Sequence, residues 1–256
     1  MAKSVRLLTL ARDLRRRKAR ERQQLFVCEG VRAVEELLRS PLSVRGALVA
    51  PQLSEAPRGA ELARALRDRN VQLAEVGADE FATAAETDTP QGVLAIAEVP
   101  ARSLDALPVG EWFLMLVLDA LQDPGNVGTI LRTAAALGAD ATVALPGTVD
   151  LWNAKVVRSA MGAHFRHSAL SCTWDELDSF LAARGITLWA ADAAGARLEG
   201  GEAPARLALA VGNEGGGVSD VVRARADRLV SIPIASTVES LNVAVATGIL
   251  LHELRR

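Results

Sequence analysis

Short apolar runs alternate with amphipathic segments along the whole chain. Runs of about four to eight apolar residues predict strands, and apolar positions three or four apart predict helices. In the first hundred residues this pattern predicts a basic N-terminal helix, helices at 31–38 and 61–69, and strands at 25–28, 44–49, 71–75 and 92–99. These elements describe a small α/β unit.

The second half of the chain alternates more regularly between strand and helix candidates. Strands are predicted at 112–118, 141–145, 186–191, 207–211 and 228–232. This alternation predicts a mostly parallel sheet covered by helices on both faces. Pro100 to Gly110 shows no strong periodicity. We therefore predict a domain at 1–100, a linker at 101–112 and a second domain at 113–256.

Composition narrows the class of protein. Half of the 256 residues are apolar and 23% are charged, which is typical of a folded chain with one large domain or two modest ones. The longest apolar runs fall far short of the roughly 18–20 residues of a membrane span, and the charged N-terminus is unlike a signal peptide. We expect a cytoplasmic protein.

The sequence offers little for a metal ion or a disulfide framework. The two cysteines, Cys28 and Cys172, lie far apart in the chain. The loose pattern of His164, His167 and Cys172 lacks a fourth ligand. We expect no metal site.

Charge is concentrated at the N-terminus. Residues 1–25 hold nine Lys or Arg and two acidic residues, so the segment carries +7 while the rest carries −9. This asymmetry is typical of an arm that binds a polyanion, because neutralised phosphates release counterions. A solvated basic helix face explains it equally well. If the arm binds RNA, its candidate contacts are Arg15, Arg16, Arg17, Lys18, Arg20 and Arg22.

The loop after the strand at 112–118 carries the first candidate chemistry, since ligands of open α/β sheets bind beyond the carboxyl ends of strands. Its sequence is LDALQDPGNVGTILRTAAALGA, where Asn126 can cap a helix that carries Arg132. An ordinary strand, turn and helix would explain Asn126. It would leave Arg132 without a purpose.

Two further loops contain polar residues in unusual settings. The run VGNEGGGVSD at 211–220 could cradle a ligand near Glu214 or form a flexible turn. It lacks both the P-loop lysine and the dinucleotide fingerprint. In the last segment, Ser240 can cap a helix that is apolar on nearly every side, so the core or a second subunit must bury it. Asn242 interrupts that helix, and a buried amide there needs partners.

In series, DPGNVGTILRTAAALGA, VGNEGGGVS and SIPIASTVESLNVAVATGILLHE resemble the three motifs of the SpoU/TrmH family of RNA ribose 2′-O-methyltransferases. The part with RRRKARERQQLFVCEGVRAVEELL and TPQGVLAIAE is similar to the ribosomal-protein-like substrate-binding domain of many members. The resemblance implies a parallel-sheet domain with a trefoil knot, bound S-adenosylmethionine and a homodimer. Knots break the usual rule against threaded loops, so the resemblance alone supports this one.

The resemblance also implies roles for single residues. Cofactor contacts are expected at Gly212, Ile232 and Leu241, with Ala191 as an addition, and the catalytic site is expected to comprise Asn126, Arg132, Glu214, Ser240 and Asn242. In the family the motif-one arginine, here Arg132, is proposed as the general base. Because an arginine pKa lies above about 12, a charged Arg132 that stabilises the developing alkoxide is the alternative.

The sequence therefore predicts an S-adenosylmethionine-dependent methyltransferase acting on an RNA ribose 2′-hydroxyl. Ribosomal RNA, specifically 23S rRNA, is favoured over tRNA because the N-terminal part resembles that of large-subunit rRNA modifiers. A non-catalytic RNA-binding or ribosome-assembly protein on the same scaffold is the main alternative. A small-molecule oxidoreductase is disfavoured by the missing fingerprint and the basic arm.

Overall fold

The computed structural model describes residues 2–198, 203–213, 215–235 and 237–254. Contacts divide the chain into two units. One contains the chain up to Ala101 together with Trp152–Arg166, and the other contains the remainder. The predicted limits at 1–100, 101–112 and 113–256 stay predictions. No helix in the described residues has the length and apolar content needed to cross a membrane.

The first unit contains a mixed sheet. Antiparallel β4 lies between β1 and β2, and β3 pairs parallel with β2. The predicted basic helix is two helices, separated by residues 14–16. The elements in chain order are α1 (Ala2–Asp13), α2 (Arg17–Gln23), β1 (Leu25–Glu29), α3 (Val31–Leu38), β2 (Val44–Val49), α4 (Pro57–Asp68), β3 (Leu73–Glu75), α5 (Ala78–Ala82) and β4 (Val93–Glu98).

The second unit contains a sheet in which every described strand pair is parallel, in the order β10-β8-β9-β5-β6-β7. The predicted parallel sheet is confirmed. Its strands are β5 (Phe113–Asp119), β6 (Ala141–Ala144), β7 (Ser168–Ser171), β8 (Thr187–Arg197), β9 (Arg206–Gly212) and β10 (Arg228–Ser231). The helices of this half of the chain are α6 (Pro124–Leu137), α7 (Ala154–Ser159), α8 (Trp174–Arg184), α9 (Asp220–Arg225) and α10 (Val243–Leu254).

Aromatic packing explains why the segment containing α7 belongs to the first unit. The ring of Trp152 lies 4.5 Å from that of Phe26 on β1, and Phe165 stacks on Phe26 at 6.0 Å. Phe26 and Phe165 are fully buried. Large aromatic side chains contribute much of the apolar area that a core buries, so this cluster ties the segment to β1.

The strand order of the second unit positions the candidate site. β9 follows β8 in the chain but lies between β8 and β5. The carboxyl ends of these parallel strands and of β10, which pairs with β8, therefore lie at one edge of the sheet, where the three motif loops follow β5, β9 and β10. The trefoil knot stays a prediction of the resemblance.

A buried histidine lies under the β6–β7 edge of this sheet. His167 Nε2 is 2.7 Å from the hydroxyl of Thr142, which is fully buried. Burial, together with the charge of Arg102, lowers the pKa of His167 from 6.5 to about 4. The ring is therefore neutral in the folded protein at neutral pH.

This neutral histidine predicts acid lability. Above pH 6.5 the ring is neutral in both the folded and the unfolded chain. Between pH 6.5 and pH 4 the ring is protonated in the unfolded chain but stays neutral in the folded chain, so acid favours unfolding. Unfolding free energy should fall by up to about 3 kcal/mol from pH 6.5 to pH 4 through this group. Urea unfolding across that range, compared with His167→Gln, measures the contribution. If unfolding free energy fell equally with pH in wild type and His167→Gln, the contribution of His167 would be contradicted. His252→Gln, at an exposed position, is the control.

Candidate active site

A cavity of about 360 Å³ lies at the carboxyl ends of β8, β9 and β10. The four positions predicted for the cofactor, Ala191, Gly212, Ile232 and Leu241, all line it, and so does Ser240. Three separate stretches of chain thus converge on one space. Ligand pockets in proteins commonly measure about 300–1,000 Å³, so the cavity is large enough for a small organic molecule.

One wall of the cavity is a bulge in β8. This strand pairs with β10 on both sides of residues 191–195, which are left out of the ladder. Gly195 approaches β10 so closely that a Cβ there would lie 2.6 Å from the Leu229 carbonyl carbon, and its own carbonyl accepts the Ser231 hydroxyl at 2.8 Å. The bulge places Ala191 at the cavity wall.

The glycine-rich turn after β9 forms another wall. Asn213 organises it: its carbonyl accepts the Gly217 N–H at 2.8 Å, its side-chain oxygen accepts the Gly215 N–H at 2.9 Å, and its amide donates to the Ala120 carbonyl at 3.1 Å. Sequence reasoning assigned Asn213 no role. An amide within a glycine run was the available signal, because such side chains often bond neighbouring backbone. Glu214 lies outside the described residues.

Asp119 ties two of the loops together and was also missed from the sequence. It ends β5, is 5% exposed, and accepts the Ser219 N–H at 2.6 Å. Ser219 in turn caps α9 through the Val222 N–H. A carboxylate at the end of a buried strand was the signal, since such a group needs a hydrogen-bond partner.

The caps of the two motif helices differ from those predicted. Asp123 caps α6 by accepting the Asn126 N–H at 2.7 Å, and Pro124 occupies the first turn. Capping by Asn126 was therefore wrong, because the proline starts the helix earlier. At α10 the predicted cap Ser240 is also wrong. Asn242 caps this helix, accepting the Ala244 N–H at 2.9 Å, and it is exposed rather than buried.

Asn126 and Asn242 meet although 116 residues separate them in the chain. The Asn242 amide donates to the Asn126 side-chain oxygen at 3.1 Å. The bond joins the first motif loop to the third, and Ser240 lies two residues before Asn242 at the cavity wall. Three of the five predicted catalytic positions are thus brought together beside the cavity.

Arg132 lies apart from this group along α6. It follows Asn126 by six residues, about 9 Å along a helix axis. Its side chain is exposed and is not among the residues that line the cavity. It is therefore available to a large ligand that approaches from solvent.

The structure corrects the predicted RNA-binding arm at one residue, Arg20. Arg20 is 5% exposed, and its guanidinium donates to the carbonyls of Leu14 and Arg15 at 2.8 and 2.9 Å. It holds the junction of α1 and α2, so we withdraw it from the candidate RNA contacts. The other candidates are exposed: Arg15, Arg16, Arg17, Lys18 and Arg22.

The described residues bring no three His, Cys, Asp or Glu side chains together in an arrangement for a metal ion. Burial, helped by the Glu176 charge, raises the pKa of Cys172 to about 12. Its thiol stays protonated at neutral pH. Since the thiolate is the nucleophile and metal ligand, Cys172 is chemically inert here.

Comparison with known proteins gives both parts of the chain a counterpart. Residues 113–252 match the model of the SpoU rRNA methylase family, and residues 8–95 match that of the MRM3-like substrate-binding domain. The 23S rRNA (guanosine(2553)-2′-O)-methyltransferase RlmP of Bacillus subtilis is 35% identical over 250 residues, which cover 95% of this chain and 94% of that protein.

Other relatives agree with this match. The 23S rRNA (uridine(2479)-2′-O)-methyltransferase of Streptomyces viridochromogenes is 32% identical over 93% of this chain and 84% of its own. The crystal structure of the SpoU methyltransferase AviRb from the same organism, in complex with the cofactor AdoMet, superposes with a TM-score of 0.87. The alignment has 30% identity and covers 96% of this chain and 95% of that one.

Proposed function

Because the chain belongs to the SpoU rRNA methylase family, we propose that it transfers a methyl group from S-adenosylmethionine to a ribose 2′-hydroxyl of 23S rRNA. The observation that carries the proposal is the convergence of Ala191, Gly212, Ile232 and Leu241 on one cavity. Relatives that are named as 23S rRNA methyltransferases favour ribosomal RNA over tRNA as the substrate. A 23S rRNA substrate supports a cytoplasmic location for the protein.

The cavity suits the methyl donor. Bound there, S-adenosylmethionine supplies an electrophilic methyl group on a sulfonium. Gly212 packs so closely on the glycine-rich turn that a Cβ there would lie 2.1 Å from the Gly217 carbonyl carbon, so glycine allows this turn to form one wall of the cavity. Ala191, in β8, and Ile232, directly after β10, line the cavity on one side, and Leu241 of the third motif adds apolar surface. Close backbone approach and apolar lining are what recognition of a small ligand requires.

The polar residues beside the cavity would position the ribose. Asn126 and Asn242 hold each other and fix two loops, while Ser240 presents a hydroxyl at the cavity wall. We assign Glu214 to the same group on the resemblance. A well-oriented pair of reactants gains roughly 7–11 kcal/mol from proximity, so orientation is the larger part of this catalysis.

Arg132 would act on the RNA side of the site. A guanidinium keeps its charge at neutral pH, so it can bind the substrate phosphate and stabilise the alkoxide that forms as the 2′-hydroxyl loses its proton. Its exposure leaves its donors accessible to RNA.

The basic helices α1 and α2 would add affinity that does not depend on RNA sequence. Arg16 and Arg22 share Asp13, and Arg17 contacts Glu21 at 2.7 Å, but exposed ion pairs of this kind are weak and can give way to phosphate. Arg15→Gln with Lys18→Gln should lower the slope of log Kd against log salt by up to about 1.5. Filter binding at several salt concentrations measures it. An unchanged slope would show that the basic helices are a solvated surface that does not bind RNA. Arg64→Gln, at an exposed position outside these helices, is the control.

A homodimer through the C-terminal unit would cover the apolar face of α10. Val245 is 53% exposed and Ile249, one turn on, 38% exposed. Contiguous apolar surface of this kind marks an interface. Val245→Glu should convert a dimer to a monomer in sedimentation experiments, whereas Val221→Glu, at a position equally exposed on α9, should not. A wild-type monomer would contradict the proposal.

The proposed activity is tested by supplying tritiated S-adenosylmethionine with ribosomal RNA, both naked and in partly assembled particles. Label should enter one ribose, which mapping of 2′-O-methyl positions locates, and tRNA should remain unlabelled. RNA binding without any transfer to these substrates would favour the non-catalytic ribosome-assembly alternative.

A further inference from the structure

An ion pair joins two walls of the cavity. The guanidinium of Arg223, on α9, contacts the carboxylate of Asp192, in the β8 bulge. Asp192 also accepts the Ala194 N–H at 2.8 Å, which shapes the bulge around it. Arg223 Nη2 lies 3.9 Å from the point where a Cβ would stand on Gly217. The guanidinium therefore contacts the bulge and lies near the glycine-rich turn, with both Arg223 and Gly217 lining the cavity.

Other contacts besides this pair also hold α9. Ser219 caps the helix, and Val222 is buried against the core. Arg225, on the same helix, contacts Asp178 of α8 at 2.6 Å, and neither residue lines the cavity. The Arg223 ion pair differs from the Arg225 ion pair in that both of its residues, Arg223 and Asp192, line the cavity.

The pair also sets the charge of the cavity. Among the described residues that line it, the charged ones are Asp192, Arg223 and Glu239. Glu239 is exposed, whereas the Asp192 side chain is only 9% exposed. Water and salt screen an exposed charge strongly and a buried one much less. The Arg223 side chain is 40% exposed, so the carboxylate of Asp192 is the least screened charge on the cavity wall, and the guanidinium in contact with it is what compensates it.

The methyl donor and its product differ in charge at one atom. S-adenosylmethionine has a cationic sulfonium, and the demethylated product has a neutral thioether in its place. A change of charge on the cavity wall therefore alters the affinity for the donor more than the affinity for the product.

We propose that Asp192 and Arg223 form a specificity-determining pair that sets the preference of the cavity between the sulfonium donor and its neutral thioether product. The proposal rests on the proposed function, because it takes the cavity as the donor site. Removing the carboxylate leaves Arg223 uncompensated and disfavours the cation. Removing the guanidinium leaves the negative charge of Asp192 uncompensated and favours binding of the cationic donor.

Calorimetry with S-adenosylmethionine and S-adenosylhomocysteine tests the proposal without a catalytic assay. Asp192→Asn should lower the ratio of donor affinity to product affinity about three- to tenfold, and Arg223→Gln should raise it by a similar factor. Arg223→Lys should keep the wild-type ratio because it keeps the charge. Arg225→Gln, which breaks the ion pair on the other side of α9, should leave both affinities unchanged.

The ratio separates this role from a structural one. A pair that only supported the walls would weaken both ligands in parallel, so a ratio within twofold of wild type in both variants overturns the proposal. If circular dichroism shows that Asp192→Asn does not fold, Arg223→Gln alone tests the proposal. A raised ratio of donor to product affinity supports the proposal, and an unchanged ratio overturns it. If the wild-type protein binds neither ligand, the donor site itself is misassigned, and the proposed function fails with it.

Discussion

Replacing Arg132 with alanine is expected to lower kcat for methyl transfer by about 10²–10⁴-fold, the range that general-base or charge-stabilising groups contribute. Its side chain lies outside the cavity and exposed, so the affinity for S-adenosylhomocysteine should not change. Single-turnover transfer to RNA, with calorimetry of the product on the same samples, measures both quantities.

The charge-conserving change distinguishes the two roles of Arg132. Arg132→Lys should keep part of the activity if the positive charge stabilises the alkoxide, and should shift the pH profile if the group acts as a base, because a lysine pKa is near 10.4. Arg225→Ala, on α9, is the matched surface control and should transfer methyl groups like wild type. Full activity in Arg132→Ala would remove this residue from the site.

Replacing Gly212 with alanine is expected to weaken cofactor binding by about 10- to 100-fold, because overpacking a closely packed position costs about 1–3 kcal/mol. The new Cβ would lie 2.1 Å from the carbonyl carbon and oxygen of Gly217 and 2.2 Å from the nitrogen of Val218. These are backbone atoms, so the glycine-rich turn must move as a whole. Calorimetry with S-adenosylhomocysteine measures the loss, and thermal unfolding reports the accompanying destabilisation.

Gly216→Ala provides a close control for this experiment. Gly216 lines the same cavity, yet among the described residues no atom other than those of its chain neighbours lies within 4 Å of a Cβ built on it. The variant should fold like wild type and bind the cofactor within a few-fold of it. If both alanine variants bound equally well, the close approach at Gly212 would have no bearing on the cofactor.

Much of the fold was accessible from the hydrophobic pattern. The helix at 31–38 and the strand at 44–49 match the structure residue for residue, because apolar residues repeat at helical spacing in the first and form a short continuous run at the end of the second. β7 escaped prediction because only Ala169 and Leu170 are buried between two serines. The extension of β8 beyond residue 191 was missed since its small residues carry no periodicity, and a bulge changes the side that each residue faces.

The site was accessible in a different way. Periodicity placed the loops at the carboxyl edge, but the choice of Gly212, Ile232 and Leu241 came from the family resemblance. Long-range contacts such as that between Asn126 and Asn242 depend on the strand order, which local patterns do not encode. The burial of Arg20 was equally hidden, because a charge run gives no sign of which cation turns inward to the carbonyls of a helix junction.

The strand order has a consequence for how the protein folds during its synthesis on the ribosome. Every described residue that lines the cavity follows residue 190, and β9, which lies between β5 and β8, is made after both. A nascent chain that has released β5 through β8 has no central strand to join them. Competence to capture the methyl donor is therefore gained late in translation, after the basic N-terminal helices are already free to meet RNA.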